Sequence, residues 1–196
     1  MKIDARADFD FLNQNIETFS SAIQPLWHPL GFSSCIIKKE QEGKTLRVHF
    51  WPPNERRTKN PDWPIHTHAY ALSSLILDGQ LTDIQYEVEA GDEYNVYSVT
   101  YSNGNSEIFR TNAGLKIISK KSAIRSAGEQ YRVERGIFHQ SFVEFGKSTV
   151  TLVSLSEHSD EAPLVLGGAG LVSYPYDRTP FDRELFWSAV RKAISS

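Results

Sequence analysis

Hydrophobic residues recur with two different periods along the chain, and the period changes near residue 33. Between residues 5 and 24 the apolar side chains are spaced by three or four positions, as on one face of an amphipathic helix: Phe9, Leu12, Ile16, Phe19 and Ile23. Pro25 and the Pro29/Gly31 pair predict the end of this helix. From Ser33 onward, apolar residues alternate with polar ones, which is the pattern of β-strands.

The alternating region predicts many short strands. They are Ser33–Lys39, Thr45–Trp51, His66–Leu77, Gln80–Val88, Tyr94–Tyr101, Glu107–Ser119, Tyr131–Arg135, Phe138–Val143 and Thr149–Leu155. Residues 42–44 and 102–105 are typical turn sequences. Helical spacing returns over Pro180–Ile194, with Thr179 as the candidate N-cap. Short strands with regular turn signals predict one all-β domain, a barrel or sandwich, with a helix at each end.

Residues 51–64 interrupt the strands. Three prolines precede Pro64 in this segment, and each removes an amide donor and restricts the residue before it. We therefore predict an irregular loop. Its position immediately before His66 predicts a rim or a lid over whatever site the histidines form.

Composition narrows the classes of function. A length of 196 residues fits one domain, and a net charge of -3 without a basic block argues against a nucleic-acid surface. The longest apolar runs are too short for a membrane-spanning helix, and the N-terminus lacks the apolar segment of a signal peptide. Cys35 is the lone cysteine, so an internal disulfide is excluded. We expect a cytoplasmic location, with any metal held by histidine or carboxylate.

Histidine spacing gives the first indication of chemistry. His66 and His68 lie two residues apart in a predicted strand, so both face one side while Thr67 faces the other. Imidazole is a common ligand for zinc, copper, iron and nickel. The alternative is a pair of polar residues on a solvated strand face. His139, which follows a predicted turn at residues 134–136, is the candidate third ligand.

The two histidine-bearing segments resemble the two sequence motifs of the cupin superfamily. The first motif is Gly-x5-His-x-His-x3,4-Glu-x6-Gly, in which His66, His68 and Gly79 are matched. Ser73 stands at the glutamate position, and Asn60 stands at the leading glycine. The second motif is Gly-x5-Pro-x-Gly-x2-His-x3-Asn. Its matched residues are Gly128, Gly136 and His139, while Glu134 and Val143 replace the proline and the asparagine.

This resemblance implies a fold and a metal site. The fold is the cupin double-stranded β-helix, a jelly-roll barrel over about residues 33–156, between an N-terminal helical extension (1–31) and a C-terminal tail with a helix (157–196). The implied metal ligands are His66, His68 and His139, without the fourth ligand of the family. Three-histidine cupins include the thiol dioxygenases, such as cysteine dioxygenase. The resemblance therefore implies Fe(II), a reaction with O₂ and a small polar substrate; Zn, Mn or Ni are the alternative metals.

Candidate residues for substrate binding follow from the same comparison. Arg47 could bind a carboxylate through its planar fork, and His49 shares its strand face. Tyr70 and Tyr131 lie close in sequence to the metal ligands and could donate hydrogen bonds to a substrate. Ser154 and Ser156 stand where cysteine dioxygenase has a histidine and a tyrosine, so cysteine is not predicted as the substrate.

Other interpretations remain open at this stage. A cupin isomerase or lyase could use Zn, Mn or Ni as a Lewis acid, and a non-catalytic cupin could bind a small molecule in its barrel. No glycine-rich phosphate loop is present, so no nucleotide cofactor is predicted. A homodimer is an expectation from the family alone.

Overall fold

Two antiparallel β-sheets enclose the cavity around which this protein is built. The structure, a computed structural model, describes residues 5–40, 43–102 and 105–195. Its helices are α1 (Ala5–Ala22) and α2 (Arg183–Ile194). Its strands are β1 (Leu26–Trp27), β2 (Ser33–Lys39), β3 (Thr45–Trp51), β4 (Ala71–Asp78), β5 (Gln80–Ser102), β6 (Asn105–Ser126), β7 (Gln130–Val133), β8 (Phe138–Phe142), β9 (Thr149–Ser156), β10 (Leu164–Gly167) and β11 (Ser173–Tyr176).

The strand order identifies a jelly roll. The first sheet has the order β1-β2-β3-β9-β4-β7, and the second has the order β10-β5-β6-β11 with β8 paired to β5. The chain passes from one sheet to the other after β4, β6, β7, β8 and β9, so strands that are distant in sequence become neighbours. Double sheets connected in this way form the jelly rolls of the cupin type. The predicted all-β fold with a helix at each end is confirmed.

One long hairpin differs from the prediction. The two strands predicted at Gln80–Val88 and Tyr94–Tyr101 are parts of β5, which pairs along its length with β6. Register shifts, including one between Ala90 and Tyr94, absorb the unpaired residues between the two halves. Gly91 and Asp92 therefore signal a bulge rather than the end of a strand. The predicted turns at 42–44 and 102–105 include residues 42, 103 and 104, which lie outside the described residues.

The chain adds strands that the pattern did not predict. β1, β10 and β11 contain two to four residues each, too few for alternation to show in the sequence. β10 pairs with β5 and β11 pairs with β6, so the C-terminal tail contributes to the second sheet.

The predicted strand at His66–Leu77 was wrong at its beginning. β4 begins at Ala71, where pairing with Ser156 of β9 starts. The preceding residues are extended but make only isolated bridges, in which His66 faces His139 and Val165. The histidine segment therefore lies between β8 and β10 of the second sheet and does not continue β4.

Side chains of the first sheet alternate between two environments. One face packs against both helices, in a core that includes Val48, Leu152 and the fully buried Trp187. The Trp187 indole Nε1 donates a hydrogen bond to the carbonyl of Ile23, which fixes α2 beside the end of α1. The other face borders the cavity. On β3, Arg47 and His49 border the cavity on one face, which agrees with their predicted shared face, whereas Val48 packs on the helix side.

The C-terminal helix begins later than the sequence predicted. Thr179 is not its N-cap; Asp182 is, because the carboxylate Oδ1 of Asp182 accepts a hydrogen bond of 2.9 Å from the amide of Leu185. Thr179 instead accepts a hydrogen bond from Arg57 through its hydroxyl. Among the described residues, no helix is long and apolar enough to cross a lipid bilayer.

Replacing Asp182 with alanine is expected to lower the free energy of unfolding by about 1 kcal/mol, since one helix amide loses its acceptor. The matched control is Thr179→Ala, whose lost hydrogen bond is solvent-exposed and should cost less than about 0.5 kcal/mol. Urea unfolding followed by circular dichroism measures both. Equal losses in the two variants would contradict the assignment of the cap.

Candidate metal centre

Three histidine side chains converge at one point on the cavity wall. The ring centroids lie 4.7 Å apart for His66 and His68, 4.6 Å for His66 and His139, and 4.9 Å for His68 and His139. Each ring offers one nitrogen, and these three nitrogens all lie within 4.8 Å of one another. The grouping predicted from the sequence is thus present, and it could hold a metal ion.

Backbone hydrogen bonds set this arrangement. The amide of His139 donates to the carbonyl of His66 at 2.9 Å, and the amide of His66 donates back at 3.1 Å. Between the two ligands of the first motif, Thr67 faces away, as predicted. Its amide donates to the carbonyl of Leu164, and its hydroxyl accepts from the Leu164 amide at 2.9 Å. β8 and β10 therefore hold the segment from opposite sides.

The three rings have the electronic state that metal ligation requires. Burial lowers the pKa of His66, and it lowers the pKa of His68 and His139 well below the ordinary histidine value. All three are therefore neutral at pH 7 and keep a lone pair. The Nδ1 of His66 lies 2.8 Å from the carbonyl oxygen of Pro64, which places the proton on Nδ1 and leaves Nε2 free to bind.

His139 gives the clearest sign that something binds here. It is 2% exposed, and neither of its ring nitrogens has a hydrogen-bond partner among the described residues. A buried polar atom without a partner costs free energy, so such atoms are rare in folded proteins. A metal ion bound by this ring would satisfy one of them. The residues present fit a divalent cation.

The glutamate position of the first motif needs correction. Ser73 lies on the helix-facing side of β4, where Leu75 and Leu77 pack, and not on the cavity side. Leu72 and Ser74 line the cavity instead. Leu72 fits the motif spacing on both sides, with three residues between it and His68 and six between it and Gly79. A leucine thus stands where the family has a carboxylate.

The last residue of the first motif, Gly79, is required by the shape of the backbone. Its φ is +79°, and a Cβ at this position would lie 2.1 Å from the carbonyl oxygen of Ser148. Only glycine fits the turn that leads from β4 into β5. This turn therefore helps to set which residues of β4 face the cavity.

The same correction applies on β9. Ser154 and Ser156 were predicted to stand at the positions of a catalytic histidine and tyrosine, but both lie on the face away from the cavity. Val153 and Leu155 line the cavity in their place. In the described part of the chain, no carboxylate or cysteine joins the three histidines. The group is therefore a three-histidine set, as predicted, with apolar neighbours.

The cluster lies where two cavities meet. The inner cavity measures about 40 Å³, enough for about one water molecule. The outer cavity measures about 900 Å³, within the size range of small-molecule sites. The residues that line both are His28, Leu30, Arg47, His66, His68 and Tyr70. A metal at this point would be reachable from the larger space.

The proline-rich loop forms part of the outer wall. Lys59, Pro61 and Trp63 line the outer cavity. The Lys59 amide donates to the carbonyl of Pro29 at 2.7 Å, and the Trp63 ring packs against Tyr97 with centroids 4.7 Å apart. This arrangement corresponds to the rim predicted for residues 51–64. Whether the loop moves as a lid stays a prediction.

The predicted substrate-binding residues lie at different depths. Tyr70 stacks on His68, with centroids 4.7 Å apart and planes 15° from parallel, and it lines both cavities. Tyr131 lines the inner cavity, where its hydroxyl lies 3.2 Å from the Ser141 hydroxyl. Burial raises the pKa of Tyr131, so it stays protonated at neutral pH. Contact of Arg47, Tyr70 or Tyr131 with a substrate stays a prediction.

Three further cavity residues were not expected from the sequence. His28, Tyr101 and Arg178 line the outer cavity, and His28 also stacks on Phe32 at a centroid distance of 4.3 Å. They come from segments outside both motifs, so no local pattern connects them to the site. His49 lines only the inner cavity, where burial lowers its pKa to about 3.

Cys35 is not a candidate nucleophile. It is buried on the helix-facing side of the first sheet, and burial raises the pKa of its thiol to about 12. The reactive form of a cysteine is the thiolate, which is therefore scarce at neutral pH.

Comparisons with known proteins found matches among solved structures alone. No family model and no curated protein matches the sequence. Among solved structures, an oxalate oxidase in complex with the substrate analogue glycolate is 15% identical, with a TM-score of 0.43 over 69% of this chain. This chain spans 55% of the length of that oxalate oxidase chain. The cupin domain of Drosophila melanogaster CENP-C is 11% identical, with a TM-score of 0.34, over 79% of this chain and 100% of its own.

Proposed function

We propose that this protein is a metal-dependent oxygenase, most simply a dioxygenase, that holds Fe(II) through His66, His68 and His139. The observation that carries the proposal is the three-histidine group itself, in which neutral nitrogens within 4.8 Å of one another open onto a cavity of about 900 Å³. Three protein ligands leave positions on a metal for other molecules, whereas structural metal sites are closed by a full set of protein ligands.

Among the described residues the cluster contains histidines alone, so three neutral imidazoles would bind the metal. Three neutral imidazoles leave the full positive charge of a divalent ion uncompensated, so the site favours an anionic or electron-rich ligand from outside. Iron bound there supplies binding and activation of O₂ beside a bound substrate.

The surrounding residues determine what else reaches the site. The inner cavity, of about 40 Å³, is lined by apolar side chains such as Leu72, Val153 and Leu155 together with polar ones such as Tyr131 and Ser141. It leaves room for little water on the side of the cluster that faces the barrel interior. Tyr70, stacked on His68, lines both cavities, and its hydroxyl could donate a hydrogen bond to a small polar substrate.

The test is metal loading followed by measurement of O₂ uptake. Metal-free protein is reconstituted without oxygen with Fe(II), Zn(II), Mn(II) or Ni(II), and bound metal is measured by elemental analysis. We expect the Fe(II) form, and not the Zn(II) form, to consume O₂ when a substrate from a panel of small thiols and carboxylates is present.

Two results would contradict this proposal. Failure of all four metals to bind would remove the metal site. Conversion of a panel compound by the Zn, Mn or Ni form, without O₂ uptake by the iron form, would instead identify an isomerase or lyase.

A further inference from the structure

Two arginine side chains meet at the outer cavity without an acidic partner. Arg47 projects from β3, and Arg178 lies between β11 and α2. The Nε atom of each is buried and lacks a hydrogen-bond partner. Within the described ranges, neither guanidinium forms an ion pair, although seven other ion pairs occur there.

The backbone around Arg178 is held on both sides, so this placement does not depend on a loose tail. The Arg178 amide donates to the side-chain oxygen of Asn105 at 3.2 Å. The carbonyl of Thr179 accepts from the amide of Trp27 at 2.9 Å, and the amide of Phe181 donates to the carbonyl of Pro25 at 2.9 Å. Arg178 is therefore positioned before any ligand arrives.

The proximity of the two guanidinium groups is unfavourable in the absence of a ligand. Burial and the charge of Arg47 together lower the pKa of Arg178, which shows that the two groups interact. Like charges at a partly buried site repel, and guanidinium groups remain protonated under all ordinary conditions. An anion bound between the two charges would remove this repulsion.

The charge of the cavity wall is consistent with an anionic ligand. Lys39 and Lys59 add two more basic side chains to the outer cavity. Its acidic side chains, Asp160 and Glu161, are exposed, and neither forms an ion pair with the arginines among the described residues. The remaining polar groups nearby include the phenol of Tyr101, which can donate a hydrogen bond to an anion.

We propose that Arg47 and Arg178 form a two-arginine site for a small dianion, a dicarboxylate or a phosphate monoester, bound in the outer cavity beside the histidine cluster. Each planar guanidinium can bind one oxyanion with two hydrogen bonds. Two of them match two negative charges, whereas a monoanion would leave one arginine uncompensated. The dianion is the substrate class of the enzyme only if the proposed oxygenase function holds, because the same cavity borders His66 and His68.

Binding to the metal-free protein tests this site without any contribution from metal chemistry. Calorimetric titrations at constant ionic strength use succinate, glycerol 3-phosphate and butyrate, which resembles succinate but carries one charge fewer. We expect succinate or glycerol 3-phosphate to bind at least roughly tenfold more tightly than butyrate. The dianion that binds more tightly shows whether the ligand is a dicarboxylate or a phosphate monoester. Arg47→Gln and Arg178→Gln should each weaken that dianion by at least roughly tenfold.

Arg135→Gln is the matched control. Arg135 lies exposed in the turn before β8 and outside the cavity, and its replacement changes the net charge by the same amount. The affinity of the Arg135→Gln variant for the dianion should stay within about twofold of wild type, since distant exposed charges are screened by salt.

Thermal unfolding separates a binding role from a structural one. Ligand-free Arg178→Gln should unfold at the same temperature as wild type or higher, because repulsion with Arg47 is removed. A clear fall in unfolding temperature with unchanged dianion affinity would assign Arg178 a structural role and overturn the inference. So would equal affinity of wild type for succinate, glycerol 3-phosphate and butyrate.

The outcomes for this inference and for the oxygenase are separable. Arginine-dependent dianion binding without metal-dependent O₂ uptake supports the site and contradicts the oxygenase. O₂ uptake that is unchanged in Arg47→Gln and Arg178→Gln, with no preference for dianions, supports the oxygenase and contradicts the two-arginine site.

Discussion

A His139→Ala variant is expected to lose its divalent metal almost completely, with an affinity at least about 100-fold below that of wild type. Loss of a group that merely orients a ligand already costs 10- to 100-fold in other metal sites, and here a ligand itself is removed. No carboxylate in the described part of the chain stands ready to replace it, because the cluster contains histidines alone. Equilibrium dialysis with Zn(II), followed by elemental analysis, measures the change.

The fold should survive this substitution, which makes the result interpretable. The hydrogen bonds that join residues 66 and 139 are made by backbone atoms and are kept in the alanine variant. The His139 ring has no hydrogen bond to lose, so the metal-free variant should lose only the packing of this ring against His66 and His68. Added metal should raise the unfolding temperature of wild type but not that of the variant.

His49→Ala provides the comparison within the same cavity. His49 is also buried beside the barrel interior and carries a strongly lowered pKa, yet it lies outside the three-histidine group. Its replacement should leave metal affinity within about threefold of wild type, since it supplies no ligand. Full metal occupancy in His139→Ala would show that the cluster is not the binding site.

The sequence predicted those features that depend on neighbouring residues. The period-two alternation of β2, β3 and β9 comes from side chains that must face either the helices or the cavity, so each strand carries its own signal. The grouping of the histidine pair with His139 was predicted because two matched motifs specify these three residues.

The faces of individual strands were harder to assign. The motif allows three or four residues between His68 and its glutamate position, so a choice between Leu72 and Ser73 rests on one residue of register. A slip of one residue moves a side chain to the opposite face of the sheet. The register is decided by the pairing of β4 with β7 and β9, which the sequence does not display.

The part of the outer cavity that the C-terminal tail forms could not be predicted. Arg178 reaches it only because β11 pairs with β6 and because the following residues bind to the segment before β2. The strands that carry this tail are too short to be recognised, and β11 contains a proline. Residues brought to a site by such long-range pairing leave no periodic signal.

The register of β4 makes Leu72→Glu the second substitution with a large expected effect. Leu72 is 6% exposed and packs with Tyr131, Val133 and Leu155, so a carboxylate there would be buried among apolar groups in the metal-free protein. We expect a loss of about 2 to 4 kcal/mol in the free energy of unfolding. Because the position lines the same inner cavity as the three histidines, a divalent metal should reverse this loss and bind more tightly than to wild type.

Ser73→Glu separates a ligand position from a generally buried one. Ser73 is 5% exposed, so its replacement by glutamate should destabilise the metal-free protein by a comparable amount. Its side chain lies on the face of β4 that packs against the helices, out of reach of the histidines. Chemical unfolding with and without Zn(II) should therefore show recovery of stability in Leu72→Glu and none in Ser73→Glu. The opposite pattern would place the fourth-ligand position at residue 73 and reverse the assignment of the two faces.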